Sequence, residues 1–156
     1  ESALLVMILL MLIGGSPGST AGGIKTTTLA AMALGVRGAF RKWPQVKGFG
    51  RRIPQDVFVN AAAIFTLYLG LFLAGGIAVS CADQVPLLSA LYETASAIGT
   101  VGLTVGITPG LSSVSKIILI ALMYFGRVGG LTLLYSVGRR KKEGAAEMPE
   151  ERIAIG

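Results

Sequence analysis

The sequence predicts an all-α membrane protein in which two spanning helices flank a short helix and a re-entrant loop, preceded by a discontinuous transmembrane helix. Three observations predict it. With 53% hydrophobic and 14% charged residues in a chain of 156, and a mean hydropathy of +0.71, the composition is too apolar for a soluble domain of this size. Residues 57–81 carry no charge over a length that can cross a bilayer. A shorter apolar stretch, 85–98, runs directly into Gly99-Thr100-Val101-Gly102-Leu103-Thr104, so a helix too short to span gives way to glycine-permitted extended backbone. Such backbone is tolerated at membrane depth only where protein buries it or it lines a water-filled cavity.

The elements follow in order. Residues 2–13 form an apolar stretch too short to span by itself, and they run into Gly14-Gly15-Ser16-Pro17-Gly18-Ser19-Thr20-Ala21-Gly22-Gly23, which no helix can traverse. Helix resumes at Thr26 or Leu29 and continues to about Val36, so residues 1–36 read as one glycine-interrupted membrane helix; a surface linker between two helices is the alternative. Residues 37–56 are a basic connection, with Trp43 at interfacial level and Pro44 and Pro54 limiting helix on either side. The span at 57–81 would run about 37 Å as a helix. Residues 82–86 turn the chain, and Pro86 suits the first turn of a short helix over 86–98, whose one ionisable residue, Glu93, reads as a packing or water-facing group. After the loop at 99–104, Thr108-Pro109-Gly110 turns the chain again. Ser112 or Ser113 can cap a second span over 113–138, and 139–156 is a charged tail.

Charge sets the orientation. Of the 14 Lys and Arg residues ten lie in two clusters, Arg37, Arg41, Lys42, Lys47, Arg51 and Arg52, then Arg139, Arg140, Lys141 and Lys142, and both abut apolar segments on the same side. That is the positive-inside pattern, with anionic lipid headgroups as the expected contact and no nucleic acid. One cysteine, Cys81, and no histidine exclude a disulfide framework, the usual zinc sites and histidine acid–base chemistry, so the chain is not expected to be an enzyme. Residues 18–26 approach the Walker pattern, but Ile24 separates Gly23 from Lys25 and no acidic residue lies nearby for magnesium. The sequence starts at Glu1 inside an apolar run, which reads as a piece of a larger protein. An internal match supports this: Leu10, Met11, Gly14 and Gly18 align with Leu122, Met123, Gly126 and Gly130, as if residues 2–13 were the returning helix of a preceding unit.

Two constellations carry chemistry. Thr100, Val101 and Gly102 can direct successive carbonyls at one axis if Gly99 and Gly102 supply the backbone freedom, and such oxygens suit a hard monovalent cation; a tight turn between packed helices is the alternative. Arg127, within an apolar helix, should face the protein interior, water or a counter-charge. It reads as a barrier to a cation in transit or as a structural bridge to Glu93 or to carbonyls.

The glycine-rich run continued through Ile24-Lys25-Thr26-Thr27-Thr28, with Ser96-Ala97-Ile98-Gly99-Thr100-Val101-Gly102-Leu103-Thr104 and Met123-Tyr124-Phe125-Gly126-Arg127-Val128-Gly129-Gly130, resembles the Trk/Ktr/HKT superfamily of potassium transporters, most of all the bacterial Ktr-type membrane subunit. The resemblance implies four helix, pore-helix, helix units around one pathway, of which this chain holds the returning helix of the third (1–36) and all of the fourth (57–138). It implies K+ as the transported ion, with Na+ as a second permeant or coupled ion, no bound cofactor, and ion ligation by the carbonyls of Thr100, Val101 and Gly102, supported by Gly99, Leu103 and Thr104. Gly14 to Gly23 fall on an intramembrane gating loop and Arg127 on a gate charge. It further implies a multi-pass plasma-membrane protein with cytoplasmic basic loops, a homodimer of the full-length parent, and a cytosolic nucleotide-binding regulatory subunit. Three of the four filter strands are absent, so activity belongs to the parent; a non-conducting scaffold that anchors a cytosolic partner is the other reading.

Overall fold

The computed structural model describes residues 2–41, 47–48 and 51–128. Its helices are α1 (Ser2–Leu12), α2 (Thr26–Phe40), α3 (Gln55–Asp83), α4 (Leu87–Gly99) and α5 (Ser113–Val128), with a 3-10 turn at Thr108–Gly110. One short antiparallel ladder, β1 (Lys47–Gly48) with β2 (Arg51–Arg52), interrupts the helical architecture. It lies in the basic connection, just before Pro54, and extended pairing satisfies backbone groups there. Residues 129–138 of the expected span at 113–138, the tail at 139–156, and Trp43 and Pro44 of the basic connection lie outside the described residues.

Among the described residues one helix, α3, is long and apolar enough to cross a membrane. Its 29 residues run about 43 Å, two residues further at each end than the uncharged stretch indicates, because Asp56 and Asp83 sit in its terminal turns. Ile64, Tyr68, Phe72 and Val79 recur near multiples of a turn and bury one face. Against that face lies α4, which also contacts α1 and α5, while α2 and α5 pack on α3. The helix α4 therefore occupies the centre: every residue from Tyr92 to Gly99 is buried, and Ala90, Thr94, Ala95 and Ile98 lose all exposure. Small side chains at Ala90, Ala95 and Ala97 let neighbours approach from several directions at once.

Outward-facing positions are apolar as well. Val114, Ile117, Ile120 and Tyr124 share a face of α5 at helical spacing and are 60–66% exposed, and Leu5, Leu9 and Leu10 on α1 are 53–62% exposed. Water opposes such surfaces; lipid or further protein does not.

The outer turn is fastened by local polar chemistry. The Ser112 N–H donates to both carboxylate oxygens of Asp83, at 3.1 and 3.2 Å, and the Ser112 hydroxyl accepts the Ser115 N–H at 3.3 Å, which makes Ser112 the N-cap of α5. Ser112→Ala is expected to lower the stability of the solubilised protein by about 1 kcal/mol, read as a reduced midpoint of thermal unfolding; an unchanged midpoint would show that the cap is idle.

Candidate functional site

The glycine-rich segment leaves α1 and returns to α2 at nearly the same point. Ile13 and Ile24 form a parallel bridge, with the Gly14 N–H donating to the Ile24 carbonyl at 2.7 Å and the Ile24 N–H to the Leu12 carbonyl at 3.2 Å. Because the bridge is parallel, the chain runs in the same direction before and after the excursion. The helix that resumes at Thr26 reaches Phe40, beyond the expected Val36 and into the basic connection, where Arg37 in its last turn suits the helix C-terminus.

Inside the excursion two cations hold the loop's own carbonyls. Lys25 Nζ donates to the carbonyls of Ala21, at 2.7 Å, and Ser19, at 3.3 Å, while Arg127 Nη1 donates to the Thr20 carbonyl between them. A phosphate cradle needs the opposite polarity, N–H groups converging on an anion, so the near-match to a Walker loop has no counterpart in the geometry. Arg127 is thereby bonded to a carbonyl and not to Glu93.

The second loop begins at the end of α4. The Thr100 N–H donates to the Ala97 carbonyl at 3.1 Å and the Val101 N–H to the Ser96 carbonyl at 2.9 Å, the paired bonds of a Schellman cap. The residue in left-handed conformation is Thr100, at φ 53°, not Gly99, which remains helical. This corrects the expected role of Gly99: it is needed for closeness and not for conformational freedom, because a Cβ there would lie 2.5 Å from the Met11 carbonyl oxygen. Thr100, being β-branched, is strained in this region, and its hydroxyl is engaged, accepting the Gly22 N–H at 2.9 Å. The two loops, 78 residues apart in sequence, are thus hydrogen-bonded to each other.

Gly102 does use its freedom, at φ +85°. Residues 101–105 are non-helical and largely exposed. Among the described residues no N–H or O–H reaches the carbonyl oxygens of Thr100, Val101 or Gly102. Between α1 and the two loops lies a cavity of about 290 Å³, lined by Met7, Met11, Gly14, Gly15, Ala21, Gly99, Val101 and Leu103 among others. The glycine-rich segment and the loop at 99–104 therefore border one space, and Arg127 reaches the first of them.

Glu93 is the residue that sequence reading undervalued. It is buried in α4, 5% exposed, and its Oε1 accepts the Thr104 hydroxyl at 2.5 Å and the Val105 N–H at 3.1 Å, while Oε2 accepts the Thr108 hydroxyl at 2.8 Å. The available signal was a lone carboxylate in an apolar helix: buried charge needs donors, and threonines follow in the next loop.

Comparison with known proteins matches residues 1–145 to a family model described as "TrkH: Cation transport protein". The chain is 38% identical over 162 residues to the "Potassium/sodium uptake protein NtpJ" of Enterococcus hirae, covering 100% of this chain and 36% of that protein. It is 36% identical over 156 residues to the "Ktr system potassium uptake protein D" of Bacillus subtilis, covering 100% and 35%, and 33% identical over 156 residues to the "Ktr system potassium uptake protein B" of Vibrio alginolyticus, covering 100% and 34%. The chain spans about a third of the length of these curated relatives.

Proposed function

Because the chain belongs to the TrkH family of cation transport proteins, and not to a family of enzymes, we propose that it forms one sector of a potassium-conducting membrane pathway, with α4 as the pore helix and residues 99–104 as one strand of the selectivity filter. The observation that carries this reading is the free row of carbonyls at Thr100, Val101 and Gly102, held on a buried helix end beside a cavity. Val101 and Gly102 are exposed here, and at membrane depth in the whole protein such unpaired oxygens would be costly unless something replaced water around them, as a dehydrated K+ does. A divalent ion is disfavoured because, among the described residues, no carboxylate faces the same space; Glu93 is turned to Thr104 and Thr108.

The remaining roles follow from this one. Residues 14–23 form the gating loop beneath the filter, and Arg127 is its gate charge, tethered to Thr20. The units 1–36 and 57–138 contribute a returning helix and a complete pore unit, and the rest of the pathway comes from the whole protein. The cargo is K+, with Na+ as a second ion in keeping with the name of one relative, and no cofactor takes part. The basic segments face the cytoplasm, where they meet anionic lipid and a nucleotide-binding regulatory subunit, and the whole protein is a homodimer in the plasma membrane.

The test is K+ flux through the whole protein reconstituted in liposomes. Conduction is expected, and Gly102→Ser is expected to reduce K+ flux or K+/Na+ selectivity about tenfold or more, since a side chain at φ +85° strains the strand by roughly 1–3 kcal/mol. A Gly102→Ser protein with unaltered flux and selectivity would refute the filter assignment; a whole protein that conducts nothing would favour the scaffold.

A further inference from the structure

The filter reading leaves Glu93 without a task, yet Glu93 meets the costliest condition in α4. A carboxylate buried to this degree is stable only with strong donors, and all three of those it has come from the five residues 104–108, at the end of the loop and just beyond it. These residues have little else to hold them. Thr104, Val105 and Gly106 are exposed and irregular, Gly106 sits at φ +95°, and its N–H turns back to the Thr104 hydroxyl at 2.8 Å.

The consequence is geometric. At its inner end the strand is fixed to α4 by the cap at Thr100 and Val101. At its outer end it is fixed to the same helix by Glu93 through Thr104 and Val105. Only Gly102 and Leu103 lie between the two anchors, so the spacing of the carbonyls is set by the distance between two points on one rigid, buried helix.

We propose that Glu93 is a positioning residue for ion selectivity: its carboxylate holds the outer end of the filter strand and keeps the carbonyl ligands from closing around a cation smaller than K+. The proposal rests on the filter reading of residues 99–104. It touches no ion directly. A released outer end gives the strand freedom to contract, and contraction favours Na+ over K+ without blocking conduction.

The test is the K+/Na+ flux ratio of the whole protein in liposomes, measured for Thr108→Val, Thr108→Ser, Glu93→Gln and Gly102→Ser. Thr108→Val removes the Oε2 donor at a partly exposed position, so the carboxylate is no longer oriented to hold Thr104 and Val105 through Oε1, and it is expected to lower the ratio about fivefold. Thr108→Ser restores the hydroxyl and should restore the ratio. Glu93→Gln weakens the acceptor and should shift the ratio in the same direction as Thr108→Val. An unchanged ratio in both Thr108→Val and Glu93→Gln, beside a shifted ratio in Gly102→Ser, overturns the role of Glu93 and leaves the filter standing. A fall in total flux with the ratio intact also overturns it, since that is the mark of a merely structural group. Unaltered flux and ratio together in Gly102→Ser remove the filter reading and this inference with it.

Discussion

Gly126→Ala is expected to yield protein that unfolds at a much lower temperature than the parent, or that fails to reach a folded, monodisperse state in detergent. Gly126 is buried on α5 against the last turn of α4, and a Cβ built on it would collide with the carbonyl oxygen of Ile98. The carbonyl carbon and Cα of Ile98 would follow at 2.9 and 3.2 Å. These are backbone atoms of a residue with no exposure, so no side chain can swing aside. The two helices would have to part, and overpacking of this kind typically costs about 1–3 kcal/mol and sometimes more. Separation would also loosen the Tyr68 hydroxyl, which donates to the Gly126 carbonyl at 3.4 Å, and would move the helix end from which the filter strand departs. A melting temperature equal to the parent's would show that α4 and α5 do not approach as closely as described.

Arg127→Ala is expected to raise K+ flux at equal expression. The guanidinium is a fixed positive charge beside the glycine-rich loop and also the donor to the Thr20 carbonyl, so its removal takes away a repulsion and a tether together. A charge facing a permeating cation at low dielectric costs several-fold in rate even at modest interaction energy, and an increase of about fivefold or more is a conservative expectation. Lys25 keeps its own hold on Ser19 and Ala21, which should prevent the loop from losing its shape altogether. A drop in flux would mean instead that the bond to Thr20 supports the pathway.

Much of this arrangement is legible in the sequence, for identifiable reasons. An uncharged run of 25 residues leaves α3 no alternative to a long apolar helix, and Pro86 followed by small and apolar residues marks α4 to within a residue. The two loops announce themselves through glycine, which permits tight turns and close approach of backbone. What the sequence hides is which glycine does which. Gly99 and Gly102 look equivalent, but the helix continues through Gly99 and the left-handed residue is Thr100, a choice made by the cap bonds to Ser96 and Ala97 and by the hydroxyl's partner at Gly22. Partnerships over 78 or 107 residues, Thr100 with Gly22 and Arg127 with Thr20, have no local signature. Glu93 sits between these cases. Its isolation in an apolar helix signals a demand for donors, but only the fold supplies their identity.

The parallel bridge between Ile13 and Ile24 has one more consequence. A segment that departs and rejoins at adjacent points, with its local heading unchanged, is a closed excursion from the chain. Its ends stay pinned by the Gly14 and Ile24 bonds whatever happens within. Movement within residues 15–23 is therefore not passed along the chain to α1 or α2; it is passed sideways, through Gly22 to Thr100 and through Thr20 to Arg127.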